Sequence, residues 1–541
     1  MGCGRASRKS LQTIGFHSHR THGYCQWMPA STLPCDSAGA SGDLRRLARG
    51  GAFALGGVVV SAALQFGLVL AVTHGLPRPS AGAFLEAVAL FMILSNWCEL
   101  GADTGMVRII PRFRVQGRDG DVRPLLWAAV IPVVLAGSLA GWCVYAFAGQ
   151  ASGIFFGSAE QSSGRTLLQL LAPAVPISCT LTVLLAATRG YGRLRPYVTM
   201  TNVAVPASRL IAVVAAIAVF GDNTSALALA WTLPLAVCLV IAWGIVGRLV
   251  PARSGGRTAG IWSELWRFAA PRGLAVGFAV MVSWVDVLLV GAIAGPRNAA
   301  VYAAISRLAV IGAYGLQAVG MVVAPRFSAL VTAGDRDRLE HFYQVATWWT
   351  VIVAAPLYML VLVFAPLCAR IFGNGYGEGA TALAVLAVAG LVNLGTGNVM
   401  VLLLMAGKST WTLFDAGGSL AVNLALNVLL IPQFGITGAA ISWSVSIIGT
   451  NLVALFQLHR SLGLRPFGRG YPLACAAPAI CFGLVGVVAR LLLGDGVEAA
   501  LSTVAVGSML YLVALFRFRG DLLLGELTAS VRRARPAVAT S

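Results

Sequence analysis

Long apolar runs, broken by short clusters of Gly, Pro and Arg, dominate the pattern of hydrophobic and polar positions along this chain. A helix that crosses a bilayer needs about 20 predominantly apolar residues, and fourteen runs come close to that length. They cover roughly 51–73, 83–106, 125–148, 167–187, 197–220, 226–247, 271–294, 299–322, 343–369, 380–405, 411–432, 437–458, 471–493 and 498–517. The pattern therefore predicts an all-α, polytopic membrane protein with fourteen transmembrane helices.

The composition excludes an ordinary soluble enzyme. Of the 541 residues, 58% are hydrophobic and only 11% are charged, whereas a soluble domain carries about 25% charged residues. A disordered chain is excluded as well, because disorder requires low hydrophobicity. The loops between the predicted spans are too short for a folded catalytic or nucleotide-binding domain. Whatever the protein does, we expect its helices to do it.

The distribution of charge predicts the orientation of the chain. The net charge is +19, which in a soluble protein would suggest a nucleic-acid partner. With the N-terminus placed inside, however, every inward loop is basic. The outward loops carry one basic residue at most, namely Arg78, Arg165, Arg297, Arg370 and Arg490. Because cytoplasmic loops collect Lys and Arg, we expect a multi-pass protein of the cell inner (plasma) membrane, with both termini cytoplasmic and no nucleic acid bound.

Two sequence echoes predict an internal repeat. Leu76-Pro77-Arg78 is echoed by Gly295-Pro296-Arg297, and Gly190 by Gly407, both at an offset of about 218. Six spans per half is an even number, so the halves share one orientation and are related by a pseudo-two-fold axis along the membrane normal. We predict a basic cytoplasmic tail (1–49), two six-helix bundles (50–250 and 264–458), two additional C-terminal helices (470–518) and a cytoplasmic tail (519–541).

Several short motifs follow one another in a characteristic order over about residues 45–515. The second span ends in a Gly-x-x-x-Gly-x-x-Arg motif at Gly101–Arg108, and the seventh span opens at Arg267 and continues to Asp286. Further along come Tyr302, then Asn423, Asn427, Ile431-Pro432, Gly435 and Gly438-Ala439-Ala440. In these motifs the chain resembles the polysaccharide and oligosaccharide (O-antigen-type) flippases of the multidrug/oligosaccharidyl-lipid/polysaccharide exporter superfamily.

The resemblance implies a function without covalent chemistry. Such flippases translocate undecaprenyl-diphosphate-linked oligosaccharide units across the inner membrane for surface polysaccharide biosynthesis, by alternating access between two bundles. The implied partners are the lipid-linked oligosaccharide, the lipid bilayer and the proteins of polysaccharide assembly. No enzyme activity, cofactor or metal ligand is expected.

Three alternatives stay open. An ion-coupled multidrug exporter of the same superfamily shares the duplicated plan. The lipid II flippase branch has an Arg–Asp pair in its first span, whereas Gly51–Val72 carries no charge here. A membrane glycosyltransferase or polymerase would need carboxylates in an external loop, and the predicted outer loops offer only scattered single ones.

Basic residues within spans are the candidate substrate ligands, because charges inside a membrane are rare and usually functional. Arg209 lies midway along the fifth span and Arg307 lies within the eighth. A guanidinium binds phosphate oxygens in pairs and stays protonated, so both are predicted diphosphate ligands. A structural ion pair with a buried carboxylate is the alternative for each. Arg189, in a basic loop, is the third candidate, for receiving the anionic head group, although topology alone also explains it.

Acidic residues within spans are candidates for ion coupling. Asp286 either binds the proton or Na⁺ that drives transport or pairs with Arg307. Glu99 and Asp103 lie four apart on one helical face, where they either couple an ion or pair with loop arginines.

Other polar and aromatic residues of the spans receive simpler expectations. Glu86 and Asp415, nearer to span ends, are expected to be hydrated. Four tryptophans line the sugar path, act as interfacial anchors or pack between helices, namely Trp97, Trp284, Trp348 and Trp349.

Overall fold

A computed structural model of the 541-residue chain describes residues 37–156, 161–250, 260–518 and 520. The chain divides into two units, 1–46 and 47–541, and every contact given below lies within the second. Most of the two predicted tails, including the histidines of the N-terminal one, lie outside the described residues.

Fourteen helices in the described part of the chain are long and apolar enough to cross a membrane, which confirms the prediction. They are α1 (Gly56–Gly75), α2 (Arg78–Val115), α3 (Asp119–Ala146), α4 (Gln161–Gly190), α5 (Leu194–Phe220), α6 (Thr224–Leu249), α7 (Ile261–Ala294), α8 (Pro296–Gln317), α9 (Arg336–Val363), α10 (Tyr376–Gly395), α11 (Ser409–Phe434), α12 (Ile436–Leu462), α13 (Tyr471–Leu493) and α14 (Val497–Arg517). The helix that contains α1 begins at Ser37, and the one that contains α8 continues to Ala333.

The helix bounds repeat along the chain. The helices that begin at Arg78 and at Pro296, 218 positions apart, both contain 38 residues. The next helices, α3 and α9, both contain 28 residues. Helix lengths therefore follow the same offset as the sequence echoes, and α13 and α14 lie outside the repeated set.

Helix α2 joins the two halves, because it packs along α7 and α8. Its backbone breaks near its middle, where Leu100 and Gly101 adopt positive φ values of 53° and 74°. At this break α2 touches the backbone of α7: a Cβ on Gly273 would lie 2.4 Å from the carbonyl carbon of Leu100. Two backbones approach this closely only where side chains are absent, so glycine is required here.

Ion pairs fasten both ends of α2 to the second half. At one end, Arg78 Nη2 lies 3.1 Å from Glu378 Oε2 of α10. At the other, Arg112 Nη1 lies 3.1 Å from Glu264 Oε1 of α7. The loop charges predict that the Arg78 end is external and the Glu264 end cytoplasmic.

Helices α13 and α14 dock on α9. The Tyr511 hydroxyl of α14 donates to the Ile352 carbonyl at 2.8 Å, and Trp348 of α9 packs in the same apolar cluster. This added hairpin therefore packs on the second half, and it is separate from the helices that form the candidate site.

Candidate functional site

A cavity of about 360 Å³ lies on the first-half side of the contact between the two halves. Helices α1, α2, α4, α5 and α6 supply most of its wall, while Trp284, Ala303 and Arg307 come from α7 and α8. Both predicted diphosphate ligands, Arg209 and Arg307, line it. The fold thus brings together two arginines that lie almost a hundred residues apart in sequence and belong to different halves.

Arg209 is a buried cation without a carboxylate partner. It is only 7% exposed, and its guanidinium carbon lies 3.9 Å from the centre of the Trp231 ring. Nε and Nη2 donate no hydrogen bond among the described residues. A buried ion without a partner is costly, so the predicted alternative of a structural ion pair is wrong for Arg209. Its unused N–H groups suit an incoming anion.

Arg307 is arranged similarly. Its guanidinium carbon lies 3.8 Å from the centre of the Trp284 ring, Nη2 donates to the Ser283 carbonyl at 3.2 Å, and buried Nε has no partner within the described structure. Its nitrogens form no contact within 4.0 Å of a carboxylate of the described residues. The predicted structural pair between Arg307 and Asp286 is therefore wrong.

Asp286, on α7, is held instead by neutral donors from two other helices. It is 1% exposed, and its Oδ2 accepts from the Tyr302 hydroxyl of α8 at 3.0 Å. Its Oδ1 accepts from Asn427 Nδ2 of α11 at 2.7 Å, and that amide also lies 3.1 Å from Asn423 Oδ1. The motif residues that carried the family resemblance thus converge on one carboxylate.

The remaining polar lining of the cavity is uncharged, and no carboxylate is among its lining residues. It consists of hydroxyl and amide side chains on α1, α4 and α5: Ser61, Gln65, Ser178, Thr182, Thr201 and Asn202. Sequence reasoning missed this set because single hydroxyls in apolar spans resemble ordinary packing residues. The two amides were the available signal, since a carboxamide in a membrane span needs hydrogen-bond partners.

Arg189 lies apart from the cavity. It is at the last turn of α4, and its guanidinium carbon lies 4.6 Å from the centre of the Tyr197 ring. It is not among the cavity-lining residues. The structure therefore separates it from the two arginines with which the sequence grouped it.

Glu99 and Asp103 flank the break in α2 without a basic partner. Neither carboxylate has a basic nitrogen within 4.0 Å in the ranges that the structure describes, so the predicted pairing with loop arginines is wrong. Those arginines bind other acids, for example Arg118 with Asp121 at 2.7 Å. Glu99 lies beside Thr182, which places it at the edge of the cavity.

Glu86 and Asp415 are buried rather than hydrated, which corrects the prediction for both. Glu86 is 0% exposed and lies against Gly291 of α7, and its two carboxyl oxygens have no hydrogen-bond partner among the described residues. Asp415 accepts a hydrogen bond from Gln457 Nε2 at 2.7 Å. The distance of a residue from the end of its span does not show which neighbouring helix covers it, and the expected hydration of both residues was based on that distance alone.

The four tryptophans divide between the cavity and the packed interior. Trp284 lines the cavity, whereas Trp97 packs edge-on against Phe278. Trp348 is buried under the added hairpin, and the partly buried Trp349 packs against the same apolar cluster. Trp231, the residue that stacks on Arg209, was not predicted. Within the described residues no group of three or more His, Cys, Asp or Glu side chains is placed to hold a metal ion.

Comparisons with protein-family models give two matches. The model described as "Polysaccharide biosynthesis protein" matches residues 47–331, which is more than half of the chain. The model described as MatE matches residues 271–429.

Two relatives are similar in sequence. An uncharacterised membrane protein of Methanocaldococcus jannaschii is 22% identical over 410 residues, which cover 71% of this chain and 77% of the relative. A probable low-salt glycan biosynthesis flippase of Haloferax volcanii is 26% identical over 172 residues, covering 30% of this chain and 35% of the relative.

Solved structures share the fold. The lipid II flippase MurJ, in an inward closed conformation, matches with a TM-score of 0.67 at 13% identity and covers 86% of this chain and 98% of its own. A multidrug resistance transporter of the MATE family, in an inward-facing conformation, matches with a TM-score of 0.63 at 13% identity, covering 74% and 94%.

Proposed function

Because the chain belongs to the polysaccharide flippase family of the multidrug/oligosaccharidyl-lipid/polysaccharide exporter superfamily, we propose that it translocates undecaprenyl-diphosphate-linked oligosaccharide units across the inner membrane for surface polysaccharide biosynthesis. The observation that carries this proposal is the cavity that holds Arg209 and Arg307 and has no lining carboxylate. In this proposal the termini lie in the cytoplasm, and residues 50–250 and 264–458 act as the two bundles.

The physical obstacle in such a reaction is a diphosphate and its sugars crossing hydrocarbon, where an ion is costly. The two arginines replace the water lost by the phosphates, while the polyprenyl tail stays in the bilayer. Since one arginine belongs to each half, a bound diphosphate bridges the halves and favours their joint rearrangement. A ligand can shift a conformational equilibrium only through such differential contacts.

Asp286 is the carboxylate that we propose for ion coupling. It is buried on α7 and held by Tyr302 and Asn427, so it is fixed in position while having no basic partner. Glu99 and Asp103 are the further candidates, because the break in α2 places them close to the cavity edge. Loss of the carboxylate at the coupling residue should stop transport against a gradient and leave substrate binding intact.

The second candidate function is export of small molecules. The MatE match over residues 271–429 and the MATE structure at a TM-score of 0.63 favour it. A cationic drug, however, would enter a cavity whose charged lining residues are both arginines. This sign of charge favours an anionic substrate and therefore the flippase.

Lipid analysis of a deletion strain separates the two functions. If the chain is the flippase, sugar-loaded polyprenyl diphosphate accumulates on the inner leaflet and export of the polysaccharide stops. The Arg209→Ala/Arg307→Ala double variant should not restore export, although it reaches the membrane in normal amounts. Arg248→Ala, an exposed arginine at the end of α6, is the matched control and should restore it. Drug sensitivity of the deletion strain without lipid accumulation would identify the exporter instead.

A further inference from the structure

The cavity contains a second chemical region besides the two arginines. On α5, Asn202 precedes Arg209 by seven residues, which corresponds to about 10 Å along a helix. Thr201 shares its turn, and Gln65 and Ser61 of α1 and Thr182 and Ser178 of α4 line the same cavity. We call these six residues the neutral region. It lies toward the N-terminal end of α5, near Leu194, and this end of the helix is predicted to be cytoplasmic.

The charges of the cavity balance those of a diphosphate alone. Two arginines are its charged lining residues, and both stay protonated. A diphosphate in ester linkage at both ends carries about one negative charge per phosphate. Once the diphosphate is bound, no cation of the lining remains for a further anion. Glu99, which lies beside the lining residue Thr182, would repel one.

The neutral region has the groups that an uncharged sugar requires. A carboxamide offers two donors and one acceptor oxygen, and a hydroxyl offers both roles. Within the described structure Gln65 Nε2 donates only to the nearby Ser61 hydroxyl, at 3.0 Å, so its oxygen is available. Asn202 is half-buried and lines the cavity, so its amide is accessible to a ligand there. Such groups match sugar hydroxyls and acetamido groups, whereas a uronic acid would bring a carboxylate without a cation to receive it.

We propose that the sugar next to the diphosphate is uncharged, and that Gln65 and Asn202 bind its hydroxyl and acetamido groups while Arg209 and Arg307 bind the phosphates. This inference rests on the proposed function, since it assigns a class of sugar to the lipid-linked substrate. It makes the two amides the residues that select the sugar and the two arginines the residues that select the diphosphate.

Binding of three synthetic lipids to the purified full-length chain in nanodiscs tests the proposal. The lipids are a polyprenyl diphosphate without sugar, one bearing N-acetylglucosamine and one bearing glucuronic acid. We expect the N-acetylglucosamine lipid to bind at least tenfold more tightly than the glucuronic acid lipid. Gln65→Ala/Asn202→Ala should weaken binding of the former about tenfold and leave the sugar-free lipid unchanged. Gln150→Ala, an exposed amide outside the cavity, is the control.

A gain-of-function variant guards against loss of folding. Gln65→Lys adds a cation to the neutral region and should raise the affinity for the glucuronic acid lipid at least fivefold. Equal binding of the two sugar lipids, or a double variant that binds both as the wild type does, would overturn the sugar assignment while leaving the flippase in place. Failure of the sugar-free lipid to bind, with no effect of Arg209→Ala/Arg307→Ala on any lipid, would overturn both.

Discussion

The two halves use equivalent positions for different chemistry. Arg209 lies eleven residues before the end of α5, and Asn423 lies eleven before the end of α11. Asp286 lies eight residues before the end of α7, whereas the same position of α1 holds Gly67. In the second half these positions meet in a closed hydrogen-bonded cluster, with Asn423 fully buried. In the first half they leave an arginine without a partner beside a cavity.

The first half lacks the carboxylate around which the second-half cluster is organised. Asp286 gathers neutral donors around itself and fills the space between its helices. Gly67 has no side chain to do so, and Phe84, which occupies the place of Tyr302 in the repeat, offers no hydroxyl. Arg209 therefore keeps its charge uncompensated, and the equivalent positions border the cavity in the first half but form a closed polar cluster in the second.

Placing a carboxylate at the equivalent position of the first half should make the two halves alike there, and it should have the largest effect on polysaccharide export. A Cβ on Gly67 would meet only Leu210, at an ordinary 3.6 Å, so Gly67→Asp fits and puts an acid on the face of α1 that contacts α5, beside the residue that follows Arg209. Since a buried pair resists separation, by about 3–5 kcal/mol when one partner is removed, we expect polysaccharide export to fall more than tenfold. Gly67→Asn, of equal size and no charge, should retain export. Equal losses in both variants would show that bulk, not charge, matters.

Removing the charge of the second-half cluster should separate coupling from stability. Asp286→Asn keeps the shape, so we expect bound substrate but transport that no longer responds to the ion gradient, measured in proteoliposomes. Asp286→Ala additionally leaves the Tyr302 hydroxyl without its acceptor and removes one of the acceptors of Asn427, which should lower the free energy of unfolding by about 1–3 kcal/mol. Gradient-driven transport by Asp286→Asn would assign coupling to another carboxylate.

Removing the Trp231 ring that stacks on Arg209 should have a smaller effect on substrate binding. Trp231→Leu removes a cation–π contact worth about 1 kcal/mol, so binding of a sugar-free polyprenyl diphosphate should weaken roughly fivefold. Trp243→Leu provides the control, because Trp243 is 47% exposed and contacts Trp127 instead. Identical affinities for the two variants would argue against a positioning role for Trp231.

The smallest effect is expected at Glu86. Its carboxyl group lies against Gly291 and has no hydrogen-bond partner among the described residues, so the neutral amide of Glu86→Gln costs less to bury there than an ionised carboxylate. We expect transport within twofold of the wild type and an unchanged or higher Tm in detergent. A marked loss of transport with an intact fold would instead give this carboxylate a part in the cycle.

The fold could be predicted because its signals are local. The length and hydropathy of each span identify it in the sequence, and Pro77 and Pro296 mark the same turn in both halves. Arg209 and Arg307 were also recognisable, since a charge deep in a span is rare. The partners of buried polar groups could not be predicted, because a helix gives no sign of which neighbour covers it. Asp286 therefore was matched to Arg307 rather than to Asn427, and Glu86 was expected to meet water.

The contact of α2 with α7 and α8 has an evolutionary consequence. On that side α2 presents Gly82 and Gly101, where a Cβ would collide with the carbonyls of Pro296 and Ala269. At these two positions no side chain can be added without wedging the halves apart. Adaptation to new cargo is therefore confined to the opposite side of the helix, where Phe84, Val88 and Met92 border the cavity.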